Sequence, residues 1–274
     1  MTTNIDIATL ADLLRQAAQK EILPRFRRLS AGDIRVKSEA TDLVTEADEQ
    51  AERMIKAEVE RLWPHALFIG EESVAADPAL LDRLADADVA IIVDPVDGTF
   101  NFAAGVPAFG VMASVVVKGE TVAGIIFDPM GDDWVMAEKG GGAWLRRPSG
   151  EAQRLAVSAT VPLEQMTGMA STGFFETSKR AVIMGNLAKV RFAANYRCAA
   201  HEYRTFAGGH VHYLMYNKLL PWDHLAGVLI SQEAGGYAAR FDGSPYLPNH
   251  VDGGLLITPD KDSWEILRRE VFNV

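Results

Sequence analysis

The segment at 91–102, which reads IIVDPVDGTFNF, constrains the fold of this 274-residue chain more than any other. Its three leading apolar residues are typical of the end of a buried strand, and two carboxylates, Asp94 and Asp97, flank a proline turn. Because Pro95 fixes its own φ and lacks an N–H, the chain turns there and can point the Val96 carbonyl outward. The sequence therefore predicts a cluster of hard oxygen atoms at a strand end, which suits Mg²⁺ or Mn²⁺.

The next two residues, Gly98 and Thr99, add a candidate binding site for an anion. If a helix or tight turn begins there, their free N–H groups point toward a ligand next to the cations, and phosphate is the natural ligand. An alternative interpretation is a strand that ends in an Asx-Pro turn, in which Asp94 and Asp97 only cap backbone groups.

Two further acidic segments favour the metal site over simple capping. The sequence GEES at 70–73 follows the apolar run 66–69 and ends a second predicted strand, whereas PWD at 221–223 stands where a helical pattern begins. The chain carries the motifs GEES, DPVDGTFNF and WDHLAG, with LVTEAD at 43–48 and QEAGG at 232–236. Through these motifs it resembles the inositol monophosphatase family of Mg²⁺-dependent, lithium-sensitive phosphomonoesterases.

The resemblance implies a fold and an activity. The fold is a mixture of α+β and α/β structure, the layered αβαβα sandwich of the sugar phosphatases. The activity is the hydrolysis of a phosphomonoester of a small soluble alcohol by a water molecule that Mg²⁺ activates. Two or three Mg²⁺ ions per active site are implied, with Mn²⁺ as an alternative ion, together with a homodimer.

The resemblance also assigns roles to particular residues of this sequence. The metal ligands that it implies are Glu71, Asp94, the Val96 carbonyl, Asp97 and Asp223. The catalytic residues that it implies are Thr99, Asp48 and Glu71. The candidate substrate-binding residues, which include two from the pocket-lining segment 197–204, are Asp97, Gly98, Thr99, Asp223, Arg197 and His201.

The chain departs from the family pattern in the region that selects the substrate. Phe100 stands where a second threonine is usual, and Tyr216 stands seven residues before Asp223, where inositol-specific members carry a glutamate that binds sugar hydroxyls. Histidinol phosphate, fructose 1,6-bisphosphate and 3′-phosphoadenosine 5′-phosphate are therefore alternative substrates to an inositol phosphate. The basic segment 197–204 either reads a second anionic or polar group or is a solvated helix face.

Composition narrows the remaining classes of function. A net charge of −10 and a pI near 5.1 disfavour a nucleic-acid partner, because an acidic surface repels the phosphate backbone. No run approaches the roughly 20 apolar residues of a membrane span, so we expect no membrane partner and a cytoplasmic location. The single cysteine, Cys198, excludes an internal disulfide and a cysteine-based zinc site, and we expect it to be a small buried hydrophobe. A second class of function, a weakly active metal-binding regulatory module, uses the same fold as an interaction surface, and the intact set of acids argues against it.

Periodicity predicts two domains that meet near residues 148–150. The first, 1–150, is an α+β domain with an antiparallel sheet and most of the metal ligands. Its predicted elements are a helix within 6–29 that Pro24 bends or ends, a polar loop at 37–45, a helix at 45–62 with a capping box, and strands at 109–117, 121–127, 134–137 and 143–145. The second, 151–274, is an α/β domain that supplies Asp223 and the substrate pocket. Its predicted strands are 167–171, 190–194, 211–215 and 255–258, and its predicted helices are 177–189, 198–208, 222–235 and 262–271.

Overall fold

The computed structural model describes residues 5–37 and 43–274. Over these ranges the α-helices are α1 (Ile7–Ala17), α2 (Glu46–Leu62), α3 (Glu71–Ala76), α4 (Thr99–Ala103), α5 (Thr177–Asn186), α6 (Ala199–Ala207), α7 (Pro221–Glu233) and α8 (Lys261–Glu270). The strands are β1 (Ile34–Val36), β2 (Leu43–Thr45), β3 (Leu67–Gly70), β4 (Val89–Asp97), β5 (Gly110–Val117), β6 (Glu120–Asp128), β7 (Asp133–Glu138), β8 (Ala143–Arg146), β9 (Ala152–Arg154), β10 (Thr167–Ala170), β11 (Phe192–Ala194), β12 (Tyr213–Tyr216), β13 (Tyr237–Arg240) and β14 (Leu255–Thr258). A π-helical turn spans Ala18–Ile22, and 3₁₀ turns span Leu23–Arg25, Ala31–Asp33, Pro78–Leu80, Asp82–Asp86, Leu163–Gln165 and Leu187–Lys189.

The strands form two large sheets and one small one. A seven-stranded sheet has the order β3-β4-β5-β6-β7-β8-β9, in which only the β3-β4 pair is parallel. A five-stranded sheet has the order β11-β10-β12-β14-β13, in which β10 is parallel to both of its neighbours. The third sheet is the antiparallel pair β1-β2.

Alternation along the strands places successive side chains on opposite faces and so builds the layers. One face of the seven-stranded sheet, which includes Ile91 and Phe127, packs on α1 and α2. Its other face, which includes Ile92 and Ile126, packs on α6 and α7, and these helices also contact the inner face of the five-stranded sheet. The outer face of that sheet, which includes Met215, packs on α5 and α8. The fold is therefore an αβαβα sandwich.

Several predicted elements differ in detail from the observed ones. The capping box at 45–48 opens α2 as predicted. The helix predicted within 6–29 is divided into α1, the π-helical turn and a 3₁₀ turn that contains Pro24. Residues 38–42 of the predicted polar loop lie outside the described residues, and the last three residues of that loop form β2, which pairs with β1.

Four strands were not predicted from the sequence: the pair β1-β2, and the strands β9 and β13. β9 pairs with β8 and so adds residues 152–154, which follow the predicted boundary, to the first large sheet. β13 contains two alanines and no β-branched residue, so its strand propensity is low and its pairing with β14 determines its conformation.

The division of the chain into domains 1–150 and 151–274 stays a prediction. None of the helices in the described ranges is both long enough and apolar enough to cross a bilayer.

Candidate active site

The two aspartates of the DPVDGT segment lie at the end of β4. The pairing of β4 with β5 is regular up to Asp94, breaks over Pro95 and resumes at Asp97. Asp94 Oδ1 accepts the Val96 N–H at 3.0 Å, so one oxygen of this carboxylate caps the proline turn. Both carboxylates are nevertheless buried, with Asp94 2% exposed and Asp97 8% exposed, which capping of a surface turn does not require.

Asp223, in the first turn of α7, completes a cluster of three carboxylates. One oxygen atom from each of Asp94, Asp97 and Asp223 lies within 4.8 Å of the others. Burial is the main cause that raises the pKa of all three side chains, and the charge of Glu71 contributes next for Asp94 and for Asp223, whose pKa rises to about 8. Carboxylates this close cannot all ionise without a compensating cation, and a set of hard oxygen ligands fits Mg²⁺ or Mn²⁺.

Glu71 opens α3 and lines the same cavity, although it lies outside the group within 4.8 Å. Lys37 Nζ donates to Glu71 Oε1 at 2.8 Å and to Glu72 Oε1 at 2.6 Å. Burial, followed by the charge of Glu71, raises the pKa of Glu72 to about 8. Lys37, which sequence reasoning missed, therefore supplies positive charge where the acids of α3 crowd together.

Glu52 fixes the start of α3 from the neighbouring helix α2. Its carboxylate accepts the Glu72 N–H at 2.7 Å, the Ser73 N–H at 2.7 Å and the Ser73 hydroxyl at 2.6 Å. A Cβ at Gly70 would lie 2.3 Å from the Glu52 carboxyl carbon, so a side chain there would displace this carboxylate from its hydrogen bonds. Glu52 was also missed, although its position four residues after Asp48 places both acids on one face of the helix.

Gly98 and Thr99 form the turn that leads into α4. Gly98 has a φ of +86°, in the left-handed region that favours glycine, and a Cβ there would lie 2.9 Å from the Ala108 carbonyl oxygen. Thr99 Oγ1 lies 2.9 Å from Asp48 Oδ1 and 2.9 Å from the Val96 carbonyl oxygen. Because a hydroxyl carries one proton, Thr99 donates to one of these two acceptors at a time.

Each oxygen of the Asp48 carboxylate has its own partner. Oδ2 accepts the Thr45 N–H at 2.9 Å and the Thr45 hydroxyl at 2.5 Å, whereas Oδ1 accepts the Thr99 hydroxyl. Burial raises the pKa of Asp48 to about 6, even though the hydrogen bonds from Thr45 act in the opposite direction. A carboxylate with a pKa near neutrality beside a hydroxyl is suited to accept and release a proton.

The start of α6 is bonded to Asp97. Asp97 Oδ2 accepts the Ala200 N–H at 2.6 Å and the Cys198 thiol at 3.0 Å. Cys198 is buried and 2% exposed, as a small hydrophobic residue would be. Glu202, which sequence reasoning missed, accepts the Tyr196 N–H at 2.7 Å, and burial raises its pKa to about 7. The first turn of α6 thus positions Asp97, a candidate metal ligand, and adds the buried carboxylate of Glu202.

Glu71, Thr99 and the three clustered aspartates line a cavity of about 600 Å³, whereas Asp48 is bonded to Thr99 from behind this lining. The second half of the chain contributes one wall, because β10, β11 and β12 are parallel and their carboxyl ends meet at one edge of the sheet. The residues that line the cavity from this edge are Ser171, Phe174, Asn195, Arg197, Tyr216 and Lys218.

The structure separates the two basic residues that were predicted to bind substrate. Arg197 lines the cavity, and its guanidinium lies 3.5 Å from the centroid of the Phe100 ring. His201 is not among the described residues that line this cavity, and its Nε2 lies 3.2 Å from the Phe109 carbonyl oxygen beside the seven-stranded sheet. Arg197 precedes α6 whereas His201 lies within its first turn, so the helix directs the two side chains differently.

The αβαβα sandwich and its clustered carboxylates fit a hydrolase of phosphate monoesters, and the comparisons with known proteins identify this class. The chain belongs to the inositol monophosphatase family, whose sequence model matches residues 6–268. Phosphatases of this family depend on a metal.

Relatives and solved structures agree with this assignment. The chain is 33% identical over 211 residues to inositol-1-monophosphatase of Rhizobium meliloti. The aligned region covers 74% of this chain and 73% of the relative. It is 31% identical over 202 residues to fructose-1,6-bisphosphatase/inositol-1-monophosphatase of Thermotoga maritima, with coverage of 74% and 73%. It is 32% identical over 210 residues to Nus factor SuhB of Escherichia coli, with coverage of 74% of each chain. An inositol monophosphatase structure from Zymomonas mobilis superposes with a TM-score of 0.80 at 25% identity and covers 99% of both chains.

Proposed function

We propose that the protein hydrolyses a phosphomonoester of a small soluble alcohol with Mg²⁺ as its cofactor, in a reaction like that of an inositol-phosphate phosphatase. The observation that carries the proposal is the group of oxygens of Asp94, Asp97 and Asp223 within 4.8 Å, in one cavity with Glu71 and Thr99. Burial and mutual repulsion make this group unfavourable by itself, and hard divalent cations compensate its charge.

The ligands that would hold two or three Mg²⁺ ions are Glu71, Asp94, the Val96 carbonyl, Asp97 and Asp223. Bound Mg²⁺ would acidify a water molecule and neutralise charge on the phosphate and the leaving oxygen. Thr99 donates its hydroxyl proton to Asp48, which leaves its oxygen lone pairs to accept a hydrogen bond from the attacking water molecule. Asp48, with a pKa of about 6, then accepts the proton through Thr99 near neutral pH.

Direct attack by water is the simplest route through this site. Cys198 lines the cavity, but burial raises the pKa of its thiol and the thiol donates to Asp97, so it is a poor nucleophile. We place the scissile phosphate beside Gly98 and Thr99, at the turn that leads into α4.

The proposal is tested by phosphate release from p-nitrophenyl phosphate and from a panel of inositol 1-phosphate, histidinol phosphate, fructose 1,6-bisphosphate and 3′-phosphoadenosine 5′-phosphate. We expect turnover that EDTA abolishes and that added Mg²⁺ restores. Full turnover by metal-stripped protein would refute the role of the cation. Absence of turnover with every substrate at saturating Mg²⁺ or Mn²⁺ would favour the weakly active, metal-binding regulatory module. The name of one relative, Nus factor SuhB, also suggests that class.

Lithium sensitivity follows from the way in which the second cation would be held. Asp223 comes from α7, far along the chain from Asp94 and Asp97, and is therefore the separable ligand of the cluster. Li⁺ is close to Mg²⁺ in size and carries half its charge, so we expect Li⁺ to lower kcat at saturating substrate by trapping a product complex. Kinetics in LiCl against matched KCl test this, and inhibition that disappears at high substrate contradicts it.

We also propose a cytoplasmic homodimer, on the resemblance to the family. Sedimentation velocity of the purified protein at several concentrations measures its mass in solution. A monomer at concentrations at which the enzyme is fully active would remove the dimer from the proposal.

A further inference from the structure

Two cationic side chains, Arg197 and Lys218, lie on the cavity wall that the five-stranded sheet provides. In the order β11-β10-β12, the loops that follow β11 and β12 start about 10 Å apart, because neighbouring strands are about 4.8 Å apart. Arg197 follows β11 by three residues and Lys218 follows β12 by two, and both line the cavity. Their long side chains therefore line the cavity that also holds the aspartates, with Lys218 near enough to Asp223 for its charge to act on that carboxylate.

Arg197 is held in an unusual backbone conformation. Its φ of +54° lies in the left-handed region, which residues with a side chain rarely adopt. The Arg197 N–H donates to Asn195 Oδ1 at 2.6 Å, and Asn101 Nδ2 donates to the Tyr196 carbonyl at 2.8 Å, so neighbouring side chains hold the turn. The guanidinium stacks on Phe100 at 3.5 Å. An arginine kept in a strained conformation on a cavity wall points to a functional constraint.

Lys218 is anchored in a similar way on the same wall. Its Nζ lies 5.4 Å from the centroid of the Phe174 ring. Its carbonyl accepts a hydrogen bond from His224 Nε2 at 2.9 Å, and Asn217 Nδ2 donates to the Phe174 carbonyl at 3.1 Å. These contacts join the loops after β10 and β12, so the cation projects from a supported turn.

Within residues 5–37 and 43–274 neither cation is salt-bridged to a carboxylate, although the charge of Lys218 acts to lower the pKa of Asp223 in the same cavity. Lys37, by contrast, is bonded to Glu71. Glu202 lies on this wall, but it is 2% exposed and its carboxylate accepts a backbone N–H. The wall thus presents positive charge to the cavity of an acidic protein, in which local cations are needed to attract an anion.

We propose that the alcohol part of the substrate carries a second anionic group, a phosphate or a carboxylate, that binds between Arg197 and Lys218. This inference rests on the proposed phosphatase function, because it places the scissile phosphate at the aspartates and the leaving group against the five-stranded sheet. Ser171, which follows β10 between the two cations, supplies a neutral polar group for the rest of the alcohol.

The test compares pairs of substrates that differ in the second group. Glycerol 3-phosphate and 3-phosphoglycerate differ by a carboxylate, and fructose 1-phosphate and fructose 1,6-bisphosphate differ by a phosphate. We expect kcat/KM to be about tenfold or more higher for the anionic member of at least one pair, since hydrogen bonds to charged groups are the strong ones. The pair that shows the preference identifies the group.

Substitutions then locate the binding. Arg197→Asn and Lys218→Gln should each lower the ratio of kcat/KM values within the preferred pair about tenfold. Asparagine tolerates the left-handed conformation, so the turn is retained. Arg191→Gln, which removes an exposed arginine outside the cavity, is the matched control and should leave the ratio unchanged.

The outcomes separate this inference from the proposed function. Equal turnover within both pairs, or equal losses on both members of a pair in the variants, would overturn the inference while leaving the phosphatase intact. No phosphate release from any substrate, including p-nitrophenyl phosphate, would overturn the proposed function itself. If Arg197→Asn failed to fold by circular dichroism, the ratio measured for Lys218→Gln, which changes an exposed side chain, would decide between these outcomes.

Discussion

Asp48→Asn separates two roles of one side chain, because the two oxygens of the carboxylate have different partners. Oδ2 accepts from Thr45 and caps α2, whereas Oδ1 accepts the Thr99 hydroxyl. An asparagine that keeps its oxygen toward Thr45 retains the cap. Its amide N–H₂ then faces Thr99, which must accept that bond and donate its own proton to the Val96 carbonyl, 2.9 Å away.

The reversed hydrogen bond should disable catalysis without unfolding the protein. Thr99 can no longer pass a proton to residue 48, and the amide takes one of its two acceptor lone pairs, so the attacking water loses its proton acceptor. Loss of such a positioned acid or base typically lowers kcat by about 10²–10⁴-fold. The reciprocal bond of the capping box is conserved, because an asparagine oxygen at this N3 position can still accept the Thr45 N–H.

Stability should even rise at neutral pH in the metal-free protein. Asp48 has a folded-state pKa of about 6 against about 3.8 when unfolded, so the folded state disfavours the ionised form and its stability falls as the pH rises through this window. The difference corresponds to about 3 kcal/mol at pH 7.5, of which about 1.5 kcal/mol develops between pH 5 and pH 7.5. The Asp48→Asn variant has no ionisable group at this position, so its stability lacks this pH-dependent loss.

Urea unfolding of both proteins in EDTA at pH 5 and pH 7.5, with kcat in saturating Mg²⁺, measures both effects. The free energy of unfolding of the variant, relative to the parent, should increase by about 1.5 kcal/mol between the two pH values. Asp260→Asn, which alters the cap of α8 far from the cavity, should change neither kcat nor this pH dependence. A kcat within about threefold of the parent, against the expected 10²-fold or larger loss, would refute the proton path through Thr99.

Three further substitutions test the neighbouring groups. Thr99→Ala should lower kcat by about 10²–10⁴-fold with little change in Mg²⁺ affinity by calorimetry, since the hydroxyl orients water and holds no metal; unchanged kcat would exclude it. Asp223→Asn should weaken Mg²⁺ binding and lower kcat while the fold is retained, because a nearly isosteric neutral group replaces one of the three clustered carboxylates; parental Mg²⁺ dependence would contradict this. Glu52→Gln should cost about 1 kcal/mol in urea unfolding and weaken Mg²⁺ binding, since an amide cannot accept at both ends; an effect no larger than that of the exposed control Glu60→Gln would count against it.

The part of the site that is local in sequence could be predicted from the sequence. Asp94, Pro95 and Asp97 stand within four residues on one strand end, so strand geometry and proline chemistry suffice to place their oxygens together. The capping box of α2 is also a local pattern, and the structure reproduces it. The αβαβα layering followed from the resemblance and is confirmed by the fold.

The remaining groups depend on tertiary contacts that no local pattern encodes. Lys37 reaches Glu71 from a segment 34 residues away, and Glu52 meets the start of α3 because two helices cross there. His201 carries the residue type expected of a substrate ligand, yet the packing of α6 turns it toward the Phe109 carbonyl. Residue type and spacing gave no means to distinguish its direction from that of Arg197.

The two large sheets divide the work of the site, and this division explains why the substrate is harder to infer than the reaction. The acids and Thr99 lie at the end of β4 and on helices packed against the seven-stranded sheet, where burial and hydrogen bonds fix each one. The wall against the alcohol comes from loops after β10, β11 and β12, where Arg197 and Lys218 are exposed. Because exposed loop residues change without cost to the core, the leaving-group wall can vary while the acids stay in place. Under the proposed second-anion site, we therefore expect the cations on this wall to be the features of this chain that most directly limit its substrate.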